Sequence, residues 1–143
     1  RAEAEEVAAS SRTVTGAGEP AVTLGFADGA SVALEPDDPR VLLVLTNLPD
    51  HDSATALAAA LVEARLVACA NVLAPCTSVY RWQGVVETAS EVPVLMKTTR
   101  ARYPELEAAI RARHPYELPE IVAVPVEHGL PAYLDWVAVE TGG

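Results

Sequence analysis

Residues 69–99 read CANVLAPCTSVYRWQGVVETASEVPVLMKTT, and they constrain the fold more than any other stretch. Two long runs rich in β-branched and aromatic residues flank Gln83-Gly84. Such residues suit a pleated, half-buried surface, and a glycine between two such runs marks a hairpin. At ~3.3 Å per residue, arms of about a dozen residues reach roughly 40 Å. A domain of ~100 residues has a radius of gyration near 13 Å. The arms therefore outrun a compact body, and their ends are expected to pair with something outside the subunit. Pro93 cannot donate a ladder hydrogen bond, so a bulge or an edge is expected there.

The rest of the chain supplies the partners of this hairpin. Residues 41–45 are continuously apolar, as in a central strand buried on both faces. Pro49-Asp50 ends the strand and starts a helix, with Asp50 or Asp52 as the N-cap. Ala54, Leu57, Ala58, Leu61 and Ala64 recur at helical spacing toward the sheet. Tyr103-Pro104-Glu105 opens a second helix with Leu106, Ala109 and Ile110 inward, and Pro115 stops it. Residues 121–126 form the fourth strand. Gly129-Leu130-Pro131 opens a short terminal helix with Tyr133, Leu134, Trp136 and Val137. The order β-α-β-β-α-β plus a helix predicts an α+β, ferredoxin-like sandwich. With helices on one face, the other apolar face and the overhanging arms call for covering copies, which predicts a trimer.

Residues 1–39 are expected to form an acidic N-terminal extension ahead of the domain at 40–143. They hold eight acids against Arg1 and Arg12, a net of −6 out of the chain's −10, leaving −4 for the remainder. Residues 1–12 are expected to be disordered. Residues 22–34 alternate around Asp28-Gly29, a hairpin signal. A three-residue loop pairing Phe26 with Val32 and Leu24 with Leu34 keeps the apolar positions on one face. Residues 36–39, Pro-Asp-Asp-Pro, read as a linker.

Half of the 143 residues are hydrophobic, enough for one domain with a core. The net charge argues against nucleic acid and anionic membranes as partners, since both need a basic face. Glu3, Glu5 and Glu6 argue against a signal or transit peptide. The expected location is the cytoplasm, or an organelle if a targeting segment upstream of Arg1 was removed. Cys69 and Cys76 are seven apart. On one continuous strand they point to opposite faces about 23 Å apart, too far for a disulfide unless the Ala74-Pro75 step bends the strand sharply.

Several segments, in order, resemble the CutA divalent-cation-tolerance family. They are Ala68-Cys69-Ala70-Asn71, residues 77–84 (TSVYRWQG), Glu91, Lys97-Thr98-Thr99, residues 114–121 (HPYELPEI), and Gly129 with residues 133–136 (YLDW). The resemblance spans residues 40 to about 140. It implies a tight homotrimer built like the PII signalling proteins, weak binding of copper or another divalent cation, and a role in metal tolerance. In animals the family is also associated with anchoring acetylcholinesterase. No enzymatic reaction is implied, and no organic cofactor.

Two residues are candidate metal ligands. His114 follows the second helix, where its imidazole either binds copper or zinc or satisfies the helix C-terminus. In bacterial relatives the proposed copper ligands are a cysteine at the end of the first strand and a histidine pair before Pro-Tyr. Those positions read Thr46 and Arg113-His114 here, so one ligand of three is kept. Cys69 offers sulfur instead, or is a small buried hydrophobe. Cys76 reads as buried, and His51 and His128 as surface residues. No HxxxH or CxxC spacing encodes a closed zinc site. A second constellation comprises Tyr80, Trp82, Lys97, Tyr116, Glu120 and Trp136, which the resemblance brings to the clefts between subunits. Lys97 is expected to pair with Glu120. The set then serves either as a pocket for a small anionic ligand in a PII-like sensor or as interface packing.

Overall fold

The structure, a computed structural model, describes residues 40–142 in full, and of the preceding residues the backbone of 7–14, 20–26 and 31–34. The chain divides into two compact units, Arg1–Asp38 and Pro39–Gly143.

The first unit is a three-stranded antiparallel sheet of β1 (Val7–Val14), β2 (Pro20–Phe26) and β3 (Ser31–Leu34), in that spatial order. The disorder expected for residues 1–12 gives way to β1 from Val7 onward, where the chain pairs along β2. Few residues of β1 are β-branched, so pairing rather than propensity makes the strand. Between β2 and β3, Leu24 opposes Val32 and Val22 opposes Leu34. That is two residues away from the expected register. A slide of two leaves every position on the same face, so apolar alternation cannot tell the two apart. The Asp28-Gly29 turn and the 36–39 linker lie outside the described residues.

The second unit runs β4 (Val41–Leu48), α1 (His51–Glu63), β5 (Cys69–Val72), β6 (Cys76–Trp82), β7 (Val85–Thr99), α2 (Tyr103–Arg113), β8 (Val122–Pro125) and α3 (Pro131–Glu140). The sheet order β5-β7-β4-β8, antiparallel at every pair, is the ferredoxin-like arrangement. Asp50 caps α1 by accepting from the Ser53 N–H at 2.7 Å, which also holds its carboxyl below the usual range. Ala54, Leu57, Ala58 and Leu61 of α1, with Leu106 and Ile110 of α2, cover one face of the sheet. That face carries Leu42, Val44, Val92, Val94 and Met96.

The opposite face is covered only at one end, where Val137 and Leu134 of α3 meet Val41, Ala68 and Val126. Beyond them lie Leu43, Leu45 and Leu95, half-buried, with Val122 and Val124 at 48% and 53% exposure. The pairings Leu45↔Leu95, Leu45↔Val122 and Leu43↔Val124 make these five contiguous.

The long hairpin is asymmetric. Its second arm, β7, is one unbroken strand of 15 residues, about 50 Å long. Its first arm breaks between β5 and β6. Val72 faces Val94 and Cys76 faces Glu91, so three residues (73–75) oppose two (92 and 93). The bulge thus lies opposite Pro93. Leu73 N–H donates to the Pro93 carbonyl at 2.9 Å, so Pro93 directs its missing donor at the interruption. The extra residue also restores phase: Cys69 and Cys76 fall on one face, opposite Lys97 and Glu91. Six residues of β7 separate those partners, roughly 20 Å, and both thiols are free.

Thr46 lies fully buried on the helix-covered face, and its Oγ1 has no hydrogen-bond partner among the described residues. A buried, unsatisfied hydroxyl costs about 1–3 kcal/mol. Thr46→Val keeps the shape and removes the hydroxyl. It should raise the unfolding free energy by about 1 kcal/mol in denaturant melts, and a loss of stability would contradict the assignment.

Candidate functional site

The arm beyond the core sheet consists of β6 and the first seven residues of β7. Gln83 and Gly84 both take positive φ, 50° and 82°, closing it with a two-residue turn. That turn sets Trp82 opposite Val85 and Tyr80 opposite Glu87, and the register continues to Cys76 opposite Glu91. Strand alternation then gives one face of the arm Ser78, Tyr80, Trp82, Glu87 and Glu91. It is the face of β7 on which Asn47 of β4 opposes Pro93.

The loop after α2 forms the facing wall, and His114 holds it in place. His114 is the C-cap of α2 and only 8% exposed. The Tyr116 backbone N–H donates to its Nδ1 at 3.2 Å. The ring proton therefore sits on Nε2, which donates to the Asn47 carbonyl at 2.7 Å. Four residues beyond Tyr116, Glu120 Oε1 accepts from the Asn47 side-chain amide at 2.9 Å. Tyr116 stacks against His114 with ring centroids 4.8 Å apart and tilted by 51°. Arm and loop enclose a groove of about 780 Å³ lined by Asn47, Tyr80, Trp82, Glu87 and Glu91 on one side, and by Tyr116, Glu117, Leu118 and Glu120 on the other.

The groove is acidic. Four glutamates reach it, and among the described residues none that line it is a lysine or arginine. Burial, the hydrogen bond from its hydroxyl to the Glu91 carboxylate, and that carboxylate's charge push the Tyr116 phenol up to about 12.

The expected constellation divides between two places. Tyr80, Trp82, Tyr116 and Glu120 meet in the groove. Lys97 does not: its Nζ donates to Asn71 Oδ1 at 2.5 Å, and Glu120 pairs with Asn47 instead. Lys97 stands opposite Cys69 near the α3 end of the sheet. There the Cys69 thiol meets the Tyr133 hydroxyl at 3.5 Å, and Tyr133 packs on Trp136. The thiol contact, with partial burial, pushes the Tyr133 phenol up to about 12. An anion pocket built on Lys97 is thus not assembled within one subunit.

The two candidate metal ligands also stay apart. His114 uses both ring nitrogens inside the subunit, leaving no lone pair for a metal. It meets β4 at Asn47, whereas Cys69 lies level with Leu43, roughly 13 Å back along that strand. Among the described residues, no three His, Cys, Asp or Glu side chains come close enough together to hold a bare metal ion. Sequence reasoning missed Asn47 and Glu87, and quoted Glu91 and Glu117 only as parts of motifs. The visible signal was the spacing Glu87-x3-Glu91 on the strand opposite Tyr80.

Comparison with known proteins decides the ancestry of this scaffold. Residues 42–140 match the family model described as CutA1 divalent ion tolerance protein. The chain belongs to the CutA1 family. The divalent-cation tolerance protein CutA of Thermus thermophilus is 46% identical over 100 residues, 70% of this chain and 97% of that protein. The mouse protein CutA is 45% identical over 89 residues, 62% of this chain and 50% of the mouse protein. Among solved structures, CutA from Xylella fastidiosa superposes with a TM-score of 0.70 at 41% identity, covering 72% of this chain and 99% of that one. CutA1 from Shewanella sp. SIB1 gives 0.72 at 36% identity, covering 75% and 100%. The ferredoxin-like expectation for the second unit agrees with these CutA1 structures, whereas residues 1–39 lie outside the family match.

The fold favours the neutral Tyr116 phenol. Its contribution is complete below the ordinary value of 10.0 and is lost as the pH rises through about 12. Stability should therefore fall across that window, and Tyr116→Phe should flatten the fall and delete one late phenolate transition from an absorbance titration. A wild-type-like profile for Tyr116→Phe would contradict the environment described.

Proposed function

We propose that this CutA1 chain serves divalent-cation tolerance as a homotrimer whose acidic groove gathers divalent cations loosely. The observation that carries the cation reading is the lining itself: four carboxylates with no lysine or arginine among the described residues. The names of the relatives, divalent-cation tolerance proteins, support the role. The donor set suits a hard ion that keeps part of its water shell, since the carboxylates are too spread for a closed site. The two candidate soft ligands, which favour copper, are not at the groove: Cys69 lies elsewhere and His114 is consumed by the loop. Titrating Mn²⁺ and Cu²⁺ into the full chain should show weak binding that Glu87→Gln/Glu91→Gln reduces about tenfold and Cys69→Ser leaves within about twofold. Unchanged affinity in the double glutamine variant would overturn the assignment.

The assembly reading rests on the uncovered sheet face. Each aliphatic side chain fully buried contributes about 1.5–3 kcal/mol, so covering the five exposed or half-exposed ones contributes several kcal/mol per subunit. The free arm, with Val79 and Val86 mostly exposed on its far side, gives a neighbour a second surface. The number three comes from the family resemblance. Sedimentation equilibrium at micromolar concentration should report three times the 15.0 kDa chain mass. Leu45→Asp should shift the population toward single chains, whereas a stable wild-type monomer would reject the trimer.

A further inference from the structure

The groove is far larger than a metal ion requires. Its volume of about 780 Å³ falls within the ~300–1,000 Å³ typical of small-molecule sites. A single water takes about 30 Å³. Its walls are also of two kinds, and only one kind serves a metal. Tyr80 and Trp82 keep 41% and 36% of their surfaces exposed on the arm, and Tyr116 stands on the opposite wall. Three aromatic rings thus share a cavity with carboxylates of the arm and of the loop.

Rings and carboxylates favour the same charge by different means. The face of an aromatic ring attracts a weakly hydrated cation within about 6 Å, at roughly 0.5–2 kcal/mol. A hydrated metal ion, screened by its own water, gains little from it. An alkylammonium gains both terms: its methylenes lie against rings while its charge meets a carboxylate. The spacing of the acids argues for several charges on one ligand. Glu87 and Glu91 stand on one wall and Glu120 on the other, and no three acids gather at one point. The Tyr116 phenol, its hydroxyl donated to Glu91, stays un-ionised at physiological pH, so that ring adds a neutral face rather than another negative charge.

We propose that the groove binds a linear aliphatic polyamine, its methylene chain along Tyr80 and Trp82 and its ammonium groups on Glu91 of the arm and Glu120 of the loop. The proposal extends the cation-gathering reading of the same groove and shares with it only the accessibility of the carboxylates.

The test is calorimetric titration of the full chain with spermidine and, separately, with Mg²⁺, at one fixed ionic strength. Spermidine should bind at least about tenfold tighter than Mg²⁺. Trp82→Leu should weaken spermidine about threefold to tenfold while leaving Mg²⁺ unchanged, and Glu91→Gln should weaken both. Tyr80→Leu, on the same wall, gives a second reading should Trp82→Leu disturb the arm. Spermidine binding no tighter than Mg²⁺, or wild-type spermidine affinity in both aromatic variants, would overturn the proposal. So would a groove already filled by a neighbouring copy, which would bind neither probe. If Mn²⁺ and Cu²⁺ fail to bind while spermidine behaves as stated, the metal reading falls and this one stands; the reverse pattern removes this one alone.

Discussion

One strand carries the architecture of the second unit. Along its last eight residues β7 pairs with β4 on one edge, and its other edge pairs first with β6 and then with β5. Core sheet and protruding arm are therefore not two modules joined by a hinge. The hydrogen-bond register that places Met96 among the helices also determines that Glu87 and Glu91 face the groove. Pro93 sits where the two regimes meet, and the bulge opposite it lets the chain change partners without leaving an unpaired donor on β7.

The second organising contact is His114. At the end of α2 the His114 backbone N–H closes the last helical bond to the Ile110 carbonyl, while its imidazole reaches across to the end of β4. With one nitrogen donating and the other accepting, the ring ties three backbone segments together. The groove's loop wall depends on that tie, so His114 shapes the site without presenting a free atom to it. The same geometry explains why a histidine in a motif-rich segment, a natural candidate ligand on chemistry alone, is a structural residue in this subunit.

Much of the fold was readable because local signals agreed. The Asp50 cap, Pro104 in the first turn of α2, the helical spacing of Ala54, Leu57, Ala58 and Leu61, and the Gln83-Gly84 turn each pointed to the element found. What escaped was information about phase and partnership. Pro93 marked a bulge or an edge, but not the one-residue surplus at 73–75 across from it, which moves Cys76 to the face opposite the one expected. In the first unit, a two-residue slide between β2 and β3 keeps the apolar pattern intact, so the pattern was silent about it. The site was half legible. Aromatic residues were seen as a group, but Lys97 was drawn to Glu120 by charge, while the sheet register set it beside Asn71. Pairings between distant residues follow from topology, and no window of sequence contains them.

The second unit's sheet ends in two unlike borders: the four-residue β8 at one side, and β5 with the longer β6 at the other. Both leave main-chain donors and acceptors free to accept a visiting strand. Docking one border to a different one is polar, in the sense that it leaves the same pair of borders free on the growing particle. Such growth ends only when the rotation per step brings the last copy back to the first; otherwise it continues as a filament. The angle at which the arm leaves the body is thus the quantity on which a finite ring, rather than an open fibre, depends.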